Sequence, residues 1–153
     1  MKKITLSLAL LLGSLVTNAQ LQKVELPKRV VVGEYKPSGI PIVELSYIAD
    51  KEYGDTTYTL TYRNGKYTTL DDYRDIDFKG NSETIEELYK LCMDAFKAED
   101  VKSYQQTIQL GKELLIIQGY KFAGMKGVKF ITTKGWMNAI GPEHVNKLFG
   151  KIK

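Results

Sequence analysis

The stretch TTYTLTYRNGK, residues 56–66, decides the fold class. Tyr58, Leu60 and Tyr62 fall on one side of an extended chain, and Thr57, Thr59 and Thr61 fall on the other. A period of two is the mark of a strand with one buried and one wet face. Asn64-Gly65 follows at once, the pair that best tolerates the positive φ values of a tight type I′ turn. The expectation is a hairpin whose return strand starts at Lys66 and runs, with an irregularity at Asp71-Asp72, through Ile76 and Phe78.

Working outward, Ile42 to Ile48 reads as a preceding strand. Downstream, Ile85, Leu88, Tyr89, Cys92 and Phe96 recur every three or four residues, so Glu83 to Ala98 predicts a helix with one apolar stripe. Gly80-Asn81-Ser82 supplies a break and a capping side chain, and Glu86 and Lys90 stand in the favourable order for a pair four residues apart. Tyr104, Ile108 and Leu110 mark a further strand. Leu114 to Ile117 is apolar at every position, which predicts a strand covered on both faces. Val128 to Thr132 and Trp136 to Ile140 extend the set. Gly141-Pro142 then opens a short final helix, with proline at its tolerated first position and Gly150 as its stop.

Strands joined by short turns are antiparallel, and an apolar helix stripe needs a sheet to cover. The expected architecture is therefore α+β: one curved antiparallel sheet of six or seven strands, a long helix packed on it, and a short C-terminal helix.

The chain begins with the layout of a cleavable export signal. Lys2 and Lys3 precede the apolar run Ile4–Val16, and Thr17-Asn18-Ala19 places small residues before a cut between Ala19 and Gln20. That run is too short for a bilayer that needs about 20 apolar residues. The expected organisation is a signal over 1–19, an extended arm over 20–41 punctuated by Pro27, Pro37 and Pro41, and a single domain over 42–153. Within the arm, Val30-Val31-Val32 suits pairing at a sheet edge. Localisation is expected to be periplasmic or extracellular. Cys92 is the only cysteine, so no internal disulfide is available, and its place on the helix stripe reads as a buried thiol.

The formal net charge of +4 is small and unevenly spread. Residues 50–100 hold thirteen acids and seven bases; residues 101–153 hold nine lysines and two acids. So weak a net charge, with no basic cluster, argues against nucleic acid as a partner.

Candidate chemistry is sparse. Asp75, Asp77, Gly80, Glu83 and Glu86 fill positions 1, 3, 6, 9 and 12 of a calcium loop, but Lys79 occupies position 5, where an oxygen ligand belongs. An acidic turn entering a helix explains the same residues, because carboxylates favour a helix N-terminus. His144 is the only histidine and has no nucleophile motif to serve. Gly119 and Gly124 have phosphate-loop spacing, yet Met125 stands where that loop requires lysine, and hairpin turns account for these glycines better. Tyr58, Tyr62 and Tyr67 form a stacking platform if exposed and core if covered. Asp71, Asp72, Asp75 and Glu86 are the carboxylates an acid-based enzyme would use. No cofactor is expected. These patterns favour a non-enzymatic exported module that binds a protein, peptide or envelope component. An extracytoplasmic enzyme or inhibitor using carboxylate chemistry and a calcium-stabilised structural protein are the alternatives.

Overall fold

The structure is a computed structural model that describes residues 27–49, 56–67 and 69–152. The proposed signal, including Ala19 and Gln20, lies outside the described residues.

Four strands come first: β1 (Arg29–Tyr35), β2 (Val43–Ala49), β3 (Thr56–Arg63) and β4 (Tyr73–Gly80). They form one antiparallel sheet in sequential order. The long helix α1 (Ser82–Lys97) follows, then β5 (Gln105–Leu110), β6 (Glu113–Phe122), β7 (Met125–Thr132) and the short β8 (Gly135–Trp136), which form a second antiparallel sheet. Helix α2 (Pro142–Leu148) closes the chain. The α+β class and both helices hold, but the single sheet of six or seven strands does not: there are two sheets of four. Alternation reports which face of a strand is buried and says nothing about its neighbour. Here β4 and β5 do not pair.

The sheets share one core. Leu45, Leu60, Tyr62 and Ile76 from the first, Leu115, Ile117 and Phe130 from the second, and Leu88 and Cys92 of α1 belong to a single buried cluster. Helix α1 packs on β4, β6 and β7, while α2 packs on β1, β2, β7 and α1. Asn81 caps α1: its side chain accepts from the Thr84 amide at 3.0 Å, and the Thr84 hydroxyl accepts from the Asn81 amide at 3.3 Å. Glu86 does not serve Lys90 but forms an ion pair with Lys151 at the end of the chain. Val30-Val31-Val32 lie in β1, at the edge of the first sheet.

Three local expectations are corrected. The β3–β4 connection is not a two-residue turn: the return strand starts at Tyr73 rather than Lys66, and neither Asn64 nor Gly65 has positive φ. The pair instead joins the two sheets. Asn64 bridges to Met137, and the Gly65 amide donates to the Trp136 carbonyl at 2.7 Å. Two-residue turns instead join the strands of the second sheet, among them Ala123-Gly124, with φ of 48° and 82°, between β6 and β7. Leu114 to Ile117 is covered on one face only: Leu115 and Ile117 are fully buried, whereas Leu114 is 51% exposed. Beyond β8, the expected strand from Trp136 to Ile140 is reduced to isolated bridges at Met137 and Ile140.

Candidate functional surfaces

The outer face of the first sheet is polar because its outward positions carry Thr, Ser, Asp and Glu. Register places Thr59 opposite Asp77 and Thr61 opposite Asp75, and each threonine hydroxyl donates to its aspartate at 2.7 Å. Arg29 lies across this face. Its Nε donates to Ser46 Oγ at 2.8 Å, and its guanidinium pairs with Glu44 at 2.7 Å. Ser46 is thereby fully buried although it points away from the core.

Where this face meets the β5–β6 and β7–β8 turns there is an open groove of about 490 Å³. It is lined by Thr57, Asp75, Asp77, Phe78, Lys79, Gly111, Lys112, Glu113 and Lys134. Two of its charges, Glu113 and Lys134, pair with each other. Glu113 takes hydrogen bonds from Lys134 at 2.7 Å and Thr133 at 3.0 Å, which hold its carboxyl below the usual range, and the same contact raises the Lys134 ammonium. A smaller hollow of about 230 Å³ lies beside it, between Arg29 and Tyr73.

A second polar cluster sits at the end of β3. Asn64 is buried and donates to Asp72 at 2.8 Å, while Arg74 holds the same carboxylate at 3.0 Å. The Asn64 amide bond, ahead of the Arg74 contact, keeps Asp72 below its ordinary value. Asp71 pairs with Arg63 at 3.4 Å. A proton-donating catalytic carboxyl needs its pKa raised; among the described residues, Asp72 and Glu113 both move down.

The residues proposed for calcium are spread over different elements. Asp75 and Asp77 are on β4, bound to threonines of β3, and Glu83 and Glu86 are on α1. Among the described residues, no group of three or more metal-ligating side chains comes together.

The three tyrosines occupy three environments. Tyr62 is fully buried, with its hydroxyl 2.7 Å from Thr132 Oγ1. Tyr58 is half-buried between Tyr47 and Phe78, each ring centroid 5.6 Å away. Tyr67 is exposed, with the Lys66 ammonium 5.4 Å from its ring. His144 stacks on Tyr35 at 3.8 Å. Cys92 is fully buried, which pushes its thiol far up.

The surface that sequence reasoning missed is the outer face of the second sheet. Register places Leu114, Ile116, Gln118, Tyr120 and Phe122 of β6 on that face, with Met125, Lys129 and Ile131 of β7 and then Trp136. Leu114 is 51% exposed, Phe122 66%, Met125 69% and Trp136 38%. Lys129 reaches over the Tyr120 ring at 4.1 Å. Two signals were visible in the chain: the alternate residues of the apolar run, and the lack of any acid between Glu113 and Glu143.

Among the described residues no helix is long and apolar enough to cross a membrane. No protein-family model, curated protein or solved structure matches this chain.

Proposed function

We propose that this protein is an exported, non-enzymatic binding module that docks through the outer face of its second sheet onto a component of the cell envelope. The observation that carries the reading is the set of large apolar side chains left exposed there: Leu114, Phe122, Met125 and Trp136. Scattered single exposures are ordinary on protein surfaces, but several on one sheet face mark a contact surface. Sheet pairing holds these residues on a rigid support, so docking need not order a loop. In the groove on the other sheet, Glu113 is already paired with Lys134, and Asp75 and Asp77 are held by threonines, which favours a structural role for these carboxylates.

The test is binding of the purified protein to washed envelope fractions, compared with a Leu114→Ser/Trp136→Ser variant. The variant is expected to keep its melting temperature within a few degrees and to lose most of its binding. Undiminished binding by a folded variant would overturn the reading.

A further inference from the structure

The docking face ends in a feature that points to one kind of envelope component. β6 and β7 meet at the two-residue turn Ala123-Gly124, and register pairs Phe122 with Met125 immediately before it. These are the two most exposed large apolar side chains among the described residues, at 66% and 69%. One step back from the tip, Lys121 pairs with Lys126 on the opposite face, and Lys129 stands over Tyr120 on the same face. Lys126 also donates to the Phe96 carbonyl at 2.8 Å, which ties the hairpin to the end of α1. The chain from Leu114 to Pro142 contains no aspartate or glutamate; of its lysines, Lys134 is paired with Glu113 in the groove, which leaves Lys121, Lys126 and Lys129 around the tip.

We infer that this hairpin tip docks on an anionic phospholipid surface, with Phe122 and Met125 entering the headgroup–acyl boundary and the lysines meeting lipid phosphates. Three physical arguments converge. A two-residue turn is narrow and convex. A fluid bilayer accommodates such a shape without a preformed pocket, whereas a protein partner must supply a complementary cavity. Lysines have long apolar stems that let them lie beside inserted side chains while the ammonium stays at headgroup level. Lysines 121, 126 and 129 around the tip gain from a negative lipid surface within a Debye length, and one apolar or one electrostatic signal alone gives weak attachment. The tip combines both.

The inference rests on the docking reading of this face and narrows it. Its test is co-sedimentation of the purified protein with vesicles of phosphatidylglycerol and phosphatidylethanolamine, and in parallel with vesicles of phosphatidylcholine alone. Binding is expected to the anionic vesicles, to weaken several-fold between about 50 and 500 mM salt, and to be slight on the neutral ones. Phe122→Ser/Met125→Ser, whose side chains contribute little to the core, is expected to keep its melting temperature and lose about tenfold or more in partitioning. Leu114→Ser, remote from the tip on the same face, is expected to weaken vesicle binding less than the tip variant does.

Lack of binding to anionic vesicles overturns the inference, as does equal binding by the tip variant or equal binding to phosphatidylcholine. A wild-type dimer that the tip substitutions convert to monomer, without lipid binding, overturns it in favour of a second copy of the chain. If vesicles fail while envelope binding still depends on Leu114 and Trp136, only the lipid assignment falls. If both fail, the docking reading falls with it.

Discussion

Alanine at Gly119 adds one methyl group to the inner face of β6, and the structure leaves it no room. A β-carbon there would stand 2.0 Å from the Val101 carbonyl oxygen and 3.0 Å from its carbon. Ordinary contact begins near 3.4 Å, so the backbone of the 101–103 turn must retreat by more than 1 Å. That turn is not free to move: Val101 is 2% exposed, and the Gly119 amide donates to the Tyr104 carbonyl at 2.9 Å. Overpacking ordinarily costs about 1–3 kcal/mol, and partial loss of Val101 burial and of that hydrogen bond adds to it, giving ~2–4 kcal/mol.

Two other glycines separate the contributions. Gly124 has φ of 82°, and a β-carbon added there would have nothing within 4 Å, so alanine meets only left-handed strain, about 1 kcal/mol. Gly111 combines φ of 60° with an approach of 2.1 Å to the Asp77 carbonyl and should be the most costly of the three, at ~3 kcal/mol or more. Urea unfolding followed by circular dichroism reads the series directly, with unchanged m-values required for the comparison. The expected order of loss is Gly111, Gly119, Gly124. If Gly119→Ala proves no more costly than Gly124→Ala, the packing of the 101–103 turn on β6 is refuted.

Other outcomes can be checked with the same protein. Ala123→Asn should stabilise by about 0.5 kcal/mol in thermal unfolding, because asparagine tolerates the left-handed conformation that Ala123 adopts at φ 48° and creates the favoured Asn-Gly turn pair. Asn64→Ala should cost about 1–3 kcal/mol by urea titration, since it leaves the Lys66 amide without its 3.1 Å acceptor and Asp72 without its 2.8 Å donor. Cys92 should react with a thiol reagent only at the rate of unfolding, because the side chain is buried and its thiolate is disfavoured; rapid labelling of the native protein would contradict this. Burial raises Cys92 and the tyrosines 58, 62 and 104 in the folded state, so their contribution is intact below the ordinary thiol and phenol values and is lost as pH rises beyond them. Asp72 and Glu113 are lowered, so theirs is intact above the ordinary carboxylate range and is lost as pH falls through it. Melting temperature against pH should therefore decline on both sides of neutrality.

By itself the sequence determined whatever depends on neighbours a few residues apart. The alternation of residues 56–63, the three-and-four spacing of α1 with a cap within Gly80-Asn81-Ser82, and the proline start and glycine stop of α2 were all legible, because strand faces, helix stripes and caps follow from local backbone geometry. Tertiary structure decided how those elements were shared out. Asn64-Gly65 has the composition of a tight turn, but contacts with Met137 and Trp136, more than seventy residues away, hold it in a longer connection. Leu114 to Ile117 is uniformly apolar, so period alone could not show that Leu115 and Ile117 enter the core while Leu114 is left outside. The division into two sheets and the apolar face of the second arise from which edges meet and which sides the helices cover. Those choices are set by long-range packing, to which a local pattern is blind.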